Sequence, residues 1–370
     1  MNIEEFKLER VQSVYENTVD YNLTESGFHP FTLKEILDRN QIESLLSLRL
    51  GYGQTNGSLE LRDRISSYYP DTNRSNILVT NGSAEANFLT TWSLLNPEDE
   101  LIIMQPNYQQ IYGLARSFGV TVKPFFLKEE LNWQPDIEEI KKLTSDKVKM
   151  IALCNPNNPT GAVLNNKVRE EIIDIAETMN AWIYCDEIYR GSEVGKKETA
   201  SFWGQYDNVI VAGGLAKSYG LPGLRIGWLI GPPDIIESAW SYHDYTTIST
   251  CMLSQKIASY VLTPHIREKI IQRNRSILQE NLKVIIDWVT SHRDKFYMIP
   301  PTAGAIAYIH HTLDITSREL CDTLRDQKSV FVLNGECFNM KEFIRLGLGS
   351  EKSFLLKGLN LFDELLEELC

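Results

Sequence analysis

The sequence lacks most of what would tie a chain to a membrane, a nucleic acid or a structural metal. No run of about eighteen apolar residues occurs in its 370 residues, so no membrane-spanning helix is expected. Glu4, Glu5, Lys7, Glu9 and Arg10 break up the first ten positions, which leaves no apolar core for a signal peptide. The six cysteines, at 154, 185, 251, 321, 337 and 370, form no C-x-x-C pair, and the six histidines form no H-E-x-x-H. A disulfide framework and a zinc site are therefore both unexpected, and a cytoplasmic location without a metal is the expectation. The formal charge of −12 gives no basic footprint for nucleic acid or anionic lipid, although a local phosphate site stays compatible with it. Repeats, low-complexity tracts and Gly/Ser linkers are absent as well.

What is present is an ordinary folded composition, 43% hydrophobic and 23% charged, over a length worth two domains or slightly more. Between residues 75 and 229, short apolar runs at 77–79, 101–104, 150–153, 182–184 and 209–211 alternate with helical patterns at 85–95, 111–118 and 167–179. That order predicts an α/β fold whose mostly parallel sheet is sandwiched by helices. After Gly231 the pattern turns to long helices from Pro233 to about Trp288. Short strands near 305–310 and 330–333 and a helix over 351–369 follow, together predicting a smaller α+β domain. The expected organisation is an N-terminal segment, 1–45, packing with the small domain; a large domain, 46–255; and a small C-terminal domain, 256–370.

Ligands of open α/β sheets collect beyond the carboxyl ends of strands, and those ends are polar here. Thr80-Asn81-Gly82-Ser83-Ala84-Glu85 opens a helix either as an ordinary capped start, with Ser83 as N-cap, or as a cradle for a phosphate. Further strand ends carry Asn155-Pro156-Asn157-Asn158-Pro159-Thr160-Gly161, Asp186-Glu187-Ile188-Tyr189, Lys217 and Arg225. A buried Asp can keep a pyridine nitrogen protonated, and a nearby Lys can form a Schiff base with an aldehyde. Pyridoxal-phosphate chemistry needs those two groups most.

These motifs, with Ala216-Lys217-Ser218-Tyr219-Gly220-Leu221-Pro222-Gly223-Leu224-Arg225-Ile226-Gly227-Trp228, resemble the class I/II aminotransferases, which are fold type I pyridoxal-phosphate enzymes. The resemblance covers roughly residues 45–369 and implies a large domain with a seven-stranded-type sheet. It implies that Lys217 is the Schiff-base lysine and the base at Cα, and that Asp186 partners the ring nitrogen. Asn158 and Tyr189 would serve the ring's phenolic oxygen, with Asn158 also at the substrate. Tyr108 would stack on the ring. The phosphate would be held by Ser83, Ala84, Arg225 and, across a homodimer interface, Tyr52. Arg345 would grip the α-carboxylate of a small amino acid substrate.

Two departures stand out. Gly214-Leu215-Ala216-Lys217 lacks both hydroxyls of the family's Ser-x-Ser-Lys, which removes one phosphate contact. Ser26-Gly27-Phe28-His29 is similar to the corresponding stretch of capreomycidine synthase and related cyclising enzymes, which act on hydroxylated arginine. That likeness implies elimination and ring closure, with His29 as the acid that protonates the leaving hydroxyl and Glu25 or Glu9 facing a cationic side chain. Transamination of an L-amino acid with a 2-oxo acid is the alternative, and it uses the same lysine. A non-catalytic role is disfavoured because every catalytic position is filled. Tyr242-His243-Asp244-Tyr245-Thr246-Thr247 is also similar to the cyclising enzymes, but it recurs among plain aminotransferases.

Overall fold

The computed structural model describes residues 3–369. The chain starts with a helix, Lys7–Tyr15, then a two-residue strand, β1 (Tyr21–Asn22), and an arm without regular structure up to residue 32. The large sheet follows: β2 (Ile77–Thr80), β3 (Glu100–Gln105), β4 (Thr121–Lys128), β5 (Gln134–Pro135), β6 (Val148–Cys154), β7 (Trp182–Asp186), β8 (Val209–Gly214) and β9 (Gly227–Ile230). The strands lie in the order β2-β9-β8-β7-β6-β3-β4-β5. From β8 across to β4 the pairing is parallel, whereas β9 runs against both neighbours and β5 against β4. The seven-stranded-type sheet is there, with β5 as a short addition at its edge.

Period-two alternation divides each strand between two cores. Ile102 and Met104 join one hydrophobic cluster, while Leu101 and Ile103 join the cluster on the opposite face. Helices cover both faces, so the strands read as continuous apolar runs rather than alternating ones. Each fully buried Leu or Ile stabilises by roughly 2 kcal/mol, which makes the sheet a stiff base for whatever its strand ends carry.

In the large sheet β4, β5 and β9 escaped the sequence pattern. β4 carries Pro124, which cannot donate to a ladder, and only Leu127 and Lys128 are paired on its outer side. A proline is tolerated at such an edge and disguises the strand. β9 falls inside the Gly227-Trp228 motif, where glycine obscures the β signal.

The smaller unit holds β10 (Phe296–Tyr297), β11 (Ile306–His311), β12 (Val330–Phe331), β13 (Leu333–Asn334) and β14 (Phe343–Gly347). β10-β11-β14-β13 form an antiparallel sheet backed by the helix Lys352–Glu368, and β12 pairs with β1 of the N-terminal segment. The helical stretch from Pro233 divides into Pro233–His243, Met252–Val261 and Pro264–Ser291. Ile257, Val261, Ile270 and Ile271 pack in the large core, beyond a boundary at 255, and Leu278, Leu282, Ile285 and Trp288 pack in the small one. The 28-residue helix Pro264–Ser291 thus joins the cores as a rigid strut.

Candidate active site

A cavity of about 510 Å³ opens at the carboxyl ends of the large sheet's strands. Ser83 and Ala84 after β2, Asn158 after β6, Asp186 and Tyr189 at the end of β7, and Lys217 and Arg225 between β8 and β9 all line it. Tyr108 follows β3, and Arg345 enters from β14 of the small sheet. The remaining wall is N-terminal, with Glu9, Gln12, Glu16, Glu25 and Ser26.

Lys217 Nζ donates to Glu25 Oε1 at 2.8 Å, and the same oxygen accepts from Gly27 N at 2.8 Å. The Lys217 charge is the main reason the Glu25 carboxyl is held down to about 2, against the opposing cost of burial. Burial works against the Lys217 charge, and Glu25 with Tyr189 overcomes it, so the amine is held above its usual range.

Asp186 behaves in the opposite way. Burial pushes its carboxyl up to about 6, only partly resisted by the Ile188 N–H at 3.1 Å. No cation pairs with it among the ion pairs of the described residues. A buried acid in that condition suits a protonated ring nitrogen as its missing partner. Burial likewise pushes the Tyr189 phenol up to about 12, and it donates to Ser26 Oγ at 2.9 Å.

Arg345 is 1% exposed. Its Nη1 donates to Asn158 Oδ1 at 2.9 Å and its Nη2 to the Thr24 carbonyl at 2.6 Å, while the buried Nε has no acceptor. Neither contact is a carboxylate, so a buried guanidinium stands ready for an anion.

Below this lies the start of the helix Ser83–Leu94. Gly82, not Ser83, is its N-cap, at φ 78, and no side chain caps the open N–H groups. A Cβ on residue 82 would touch Arg225 Nη2 at 2.5 Å, so the guanidinium lies directly over the turn. Open amides beneath a guanidinium suit a phosphate. The missing serine also finds its reason: a Cβ at Gly214 would meet Ile188 Cδ1 at 2.8 Å and the Ile226 carbonyl at 3.1 Å, so Ile188 fills the space of a side chain there.

The residues present therefore fit pyridoxal phosphate. Arg225 with the amides around Ser83 and Ala84 would hold the phosphate, Asp186 the ring nitrogen, Asn158 and Tyr189 the phenolic oxygen, Tyr108 a ring face and Lys217 the aldehyde carbon.

His29 lies elsewhere, and Tyr52, expected to reach a second copy's phosphate, stands outside its own subunit's cavity. His29 lines a separate cavity of about 330 Å³ on the far side of the arm, shared with Glu25, Gly27 and Glu351. Arg273 Nη2 sits 2.9 Å from His29 Nδ1, and Arg273 Nη1 donates to the His29 carbonyl at 3.0 Å. Burial, then the Arg273 charge, lowers the imidazole's pKa, so the protonated form that could give up a proton is disfavoured. Tyr52 is 89% exposed and touches no part of this cavity.

Beside Glu9, which the likeness had marked, Gln12, Glu16 and Cys154 line the cavity and went unremarked in the sequence. Glu9, Gln12 and Glu16 are spaced by three and four, one face of a helix, and that spacing was the available signal. Glu9 Oε1 accepts from the Tyr108 hydroxyl at 2.6 Å, and Phe6 packs edge-on against the Tyr108 ring. Burial and then the Glu9 charge keep that phenol protonated. Cys154, at the end of β6, also faces the cavity and carries no motif of its own.

The chain matches the aminotransferase class I and II family over residues 20–354. It is 26% identical over 347 residues to the capreomycidine synthase of Streptomyces vinaceus, covering 93% of this chain and 89% of that protein. Identity to the aspartate aminotransferase of Pyrococcus horikoshii is also 26%, over 96% of this chain and 92% of that one. A pyridoxal-phosphate-dependent aminotransferase of Streptococcus suis superposes with a TM-score of 0.94 at 30% identity, over 100% of this chain and 99% of that one. The pyridoxal-phosphate-dependent cyclase OrfR shares the fold, with a TM-score of 0.91 at 21% identity over 100% of this chain and 99% of that one. No helix of the described residues is long and apolar enough to cross a membrane. With the strand-end residues gathered in one cavity and most of its length matched, the chain belongs to the aminotransferase class I and II family of pyridoxal-phosphate enzymes.

Proposed function

We propose that this enzyme acts at Cα of a free, hydroxylated, arginine-like L-amino acid, expelling the hydroxyl and closing the guanidine onto the carbon it leaves. The observation that carries this reading is the charge content of the cavity: Glu9, Glu16 and Glu25 line it together with Arg345. Arg345 suits a carboxylate and the acids suit a cation, as such a substrate requires. The likeness to capreomycidine synthase supports the same substrate class.

Bound in this cavity, pyridoxal phosphate supplies an electron sink for a carbanion at Cα. The chain's residues do the rest. Arg345, its Nε still lacking an acceptor, would grip the α-carboxylate and orient Cα toward Lys217. Lys217 Nζ would take the Cα proton and return one to a hydroxyl leaving Cβ, or would also take a Cβ proton where the hydroxyl leaves Cγ, so water leaves without any outside acid. Glu25, 2.8 Å from that amine, would hold it as an ammonium between the two transfers. The guanidine nitrogen then adds to the unsaturated carbon and gives up a proton as Cα regains one. The acid role passes from His29 to Lys217 in this scheme, because the imidazole faces Arg273.

The alternative, an L-amino acid:2-oxo acid aminotransferase, is favoured by the 30% identity to the Streptococcus suis aminotransferase. The two part on co-substrate demand. Holoenzyme given γ-hydroxyarginine and no 2-oxo acid is expected to release, over many turnovers, a product lighter by one water. Conversion that stops at one equivalent per site and resumes with pyruvate or 2-oxoglutarate would contradict the cyclase and establish the aminotransferase.

A homodimer belongs to the same proposal. Tyr52, Leu50 and Leu46 are 89%, 82% and 77% exposed, an apolar face suited to a second copy whose phosphate site Tyr52 could reach. Sedimentation at micromolar concentration is expected to give the dimer mass, and a monomer would contradict it.

A further inference from the structure

The motif Tyr242-His243-Asp244-Tyr245-Thr246-Thr247 has no place in the chemistry above, and it is not at the cavity. It sits behind the phosphate turn, on Glu85 in the first turn of the helix Ser83–Leu94. Glu85 Oε2 accepts from the Asn81 N–H at 2.6 Å and lies 3.3 Å from His243 Nε2. Glu85 Oε1 accepts from Thr247 Oγ1 at 2.8 Å and from the Thr246 hydroxyl. Both carboxylate oxygens are thus occupied, near the limit of what a carboxylate accepts. His243 is fully buried, and its Nε2 also lies 2.8 Å from Thr247 Oγ1.

This is an unusual place for a buried carboxylate. It stands within one helical turn of a site that suits a phosphate dianion, and like charges that close repel. Burial opposes its ionisation, yet the His243, Asn81 and Thr246 hydrogen bonds hold its carboxyl down to about 2, so the charge persists. What that charge secures is the turn. Glu85 holds the Asn81 N–H, and the next residue, Gly82, has the left-handed φ that leaves the helix amides open beneath Arg225. Trp92, two turns further along the same helix, packs against Tyr242 and Tyr245 with ring centroids 4.8 and 5.9 Å apart, which holds the loop in place.

We propose that Glu85, clamped by His243, Thr246 and Thr247, is a positioning residue that sets the Asn81–Gly82 turn and through it the grip on the cofactor phosphate. The inference rests on the cofactor alone and stands or falls independently of the substrate. A clamp on the turn should matter only to ligands that carry a phosphate. Removing the acceptor that holds the Asn81 N–H is expected to raise the dissociation rate of pyridoxal phosphate from the holoenzyme roughly tenfold in Glu85→Ala. Reconstitution with pyridoxal, which lacks the phosphate, should be unchanged, and the phosphorus NMR shift of the bound cofactor should move. Thr247→Val, which removes one donor and keeps the carboxylate, should show the same selectivity at a smaller scale. Glu85→Gln should recover part of the grip, because its amide oxygen can accept from Asn81. If Glu85→Ala does not fold, the other two variants decide the matter. Equal weakening of pyridoxal and pyridoxal phosphate, or no weakening of either, would overturn the proposal.

Discussion

The cavity has two walls of different origin. The cofactor wall is built from strand ends of one rigid sheet, and its key acid, Asp186, is buried with its carboxyl pushed up to about 6. The substrate wall is built from the N-terminal helix and arm, and its acid beside the lysine, Glu25, is held down to about 2. Two carboxyls in one cavity are thus driven in opposite directions, one by burial and one by the Lys217 charge. The difference teaches which groups wait for a ligand. Asp186 lacks a cation that the cofactor ring can supply, whereas Glu25 already has one in Lys217.

Breaking the cofactor wall should have the larger effect. A raised folded-state value means that the cofactor-free protein binds a proton more tightly at Asp186 than the unfolded chain does. The stability contributed is complete below 3.8 and is lost as pH rises through about 6. At pH 8 the buried, charged Asp186, which has hydrogen bonds but no cation in an ion pair, costs on the order of 3 kcal/mol. Asp186→Asn is therefore expected to raise the melting temperature of the cofactor-free protein at pH 8, with the gain gone by pH 3. The same variant should lose turnover by ~10²-fold or more, because the ring nitrogen loses its anionic partner. Calorimetry across pH with steady-state kinetics reads both. A variant less stable than wild type at pH 8 would show that Asp186 has a partner already.

The same contrast explains how much could be read beforehand. Each cofactor residue stands in a contiguous motif at a strand end: Asn158 among asparagines and prolines, Asp186 before Glu187, Lys217 before Ser218. A short stretch of sequence can carry such a signal, because the sheet brings strand ends together whatever the loops do. The substrate wall carries no such local signal. The spacing of Glu9, Gln12 and Glu16 predicts a helix face, but not that the face closes over Tyr108, almost a hundred residues away. His29 was misplaced for a related reason. A local likeness does not say which way the arm turns: it bends at Gly27, and the imidazole is captured by Arg273, far along the chain. The Ser83 cap failed more simply: the helix starts one residue earlier than a serine N-cap implies, on a glycine whose φ is positive.

A smaller effect sharpens the substrate wall, and it tests most directly the central claim that Glu9 and Glu16 read a positive side chain. The measurement is kcat/KM for γ-hydroxyarginine against its neutral isostere γ-hydroxycitrulline, on the holoenzyme. A charge-assisted hydrogen bond contributes about 1.5–3 kcal/mol, so the cationic substrate should be preferred by roughly tenfold to a hundredfold, with the preference falling in Glu9→Gln. Equal rates for the two substrates would contradict the claim and leave the acidic wall without a role in choosing the substrate.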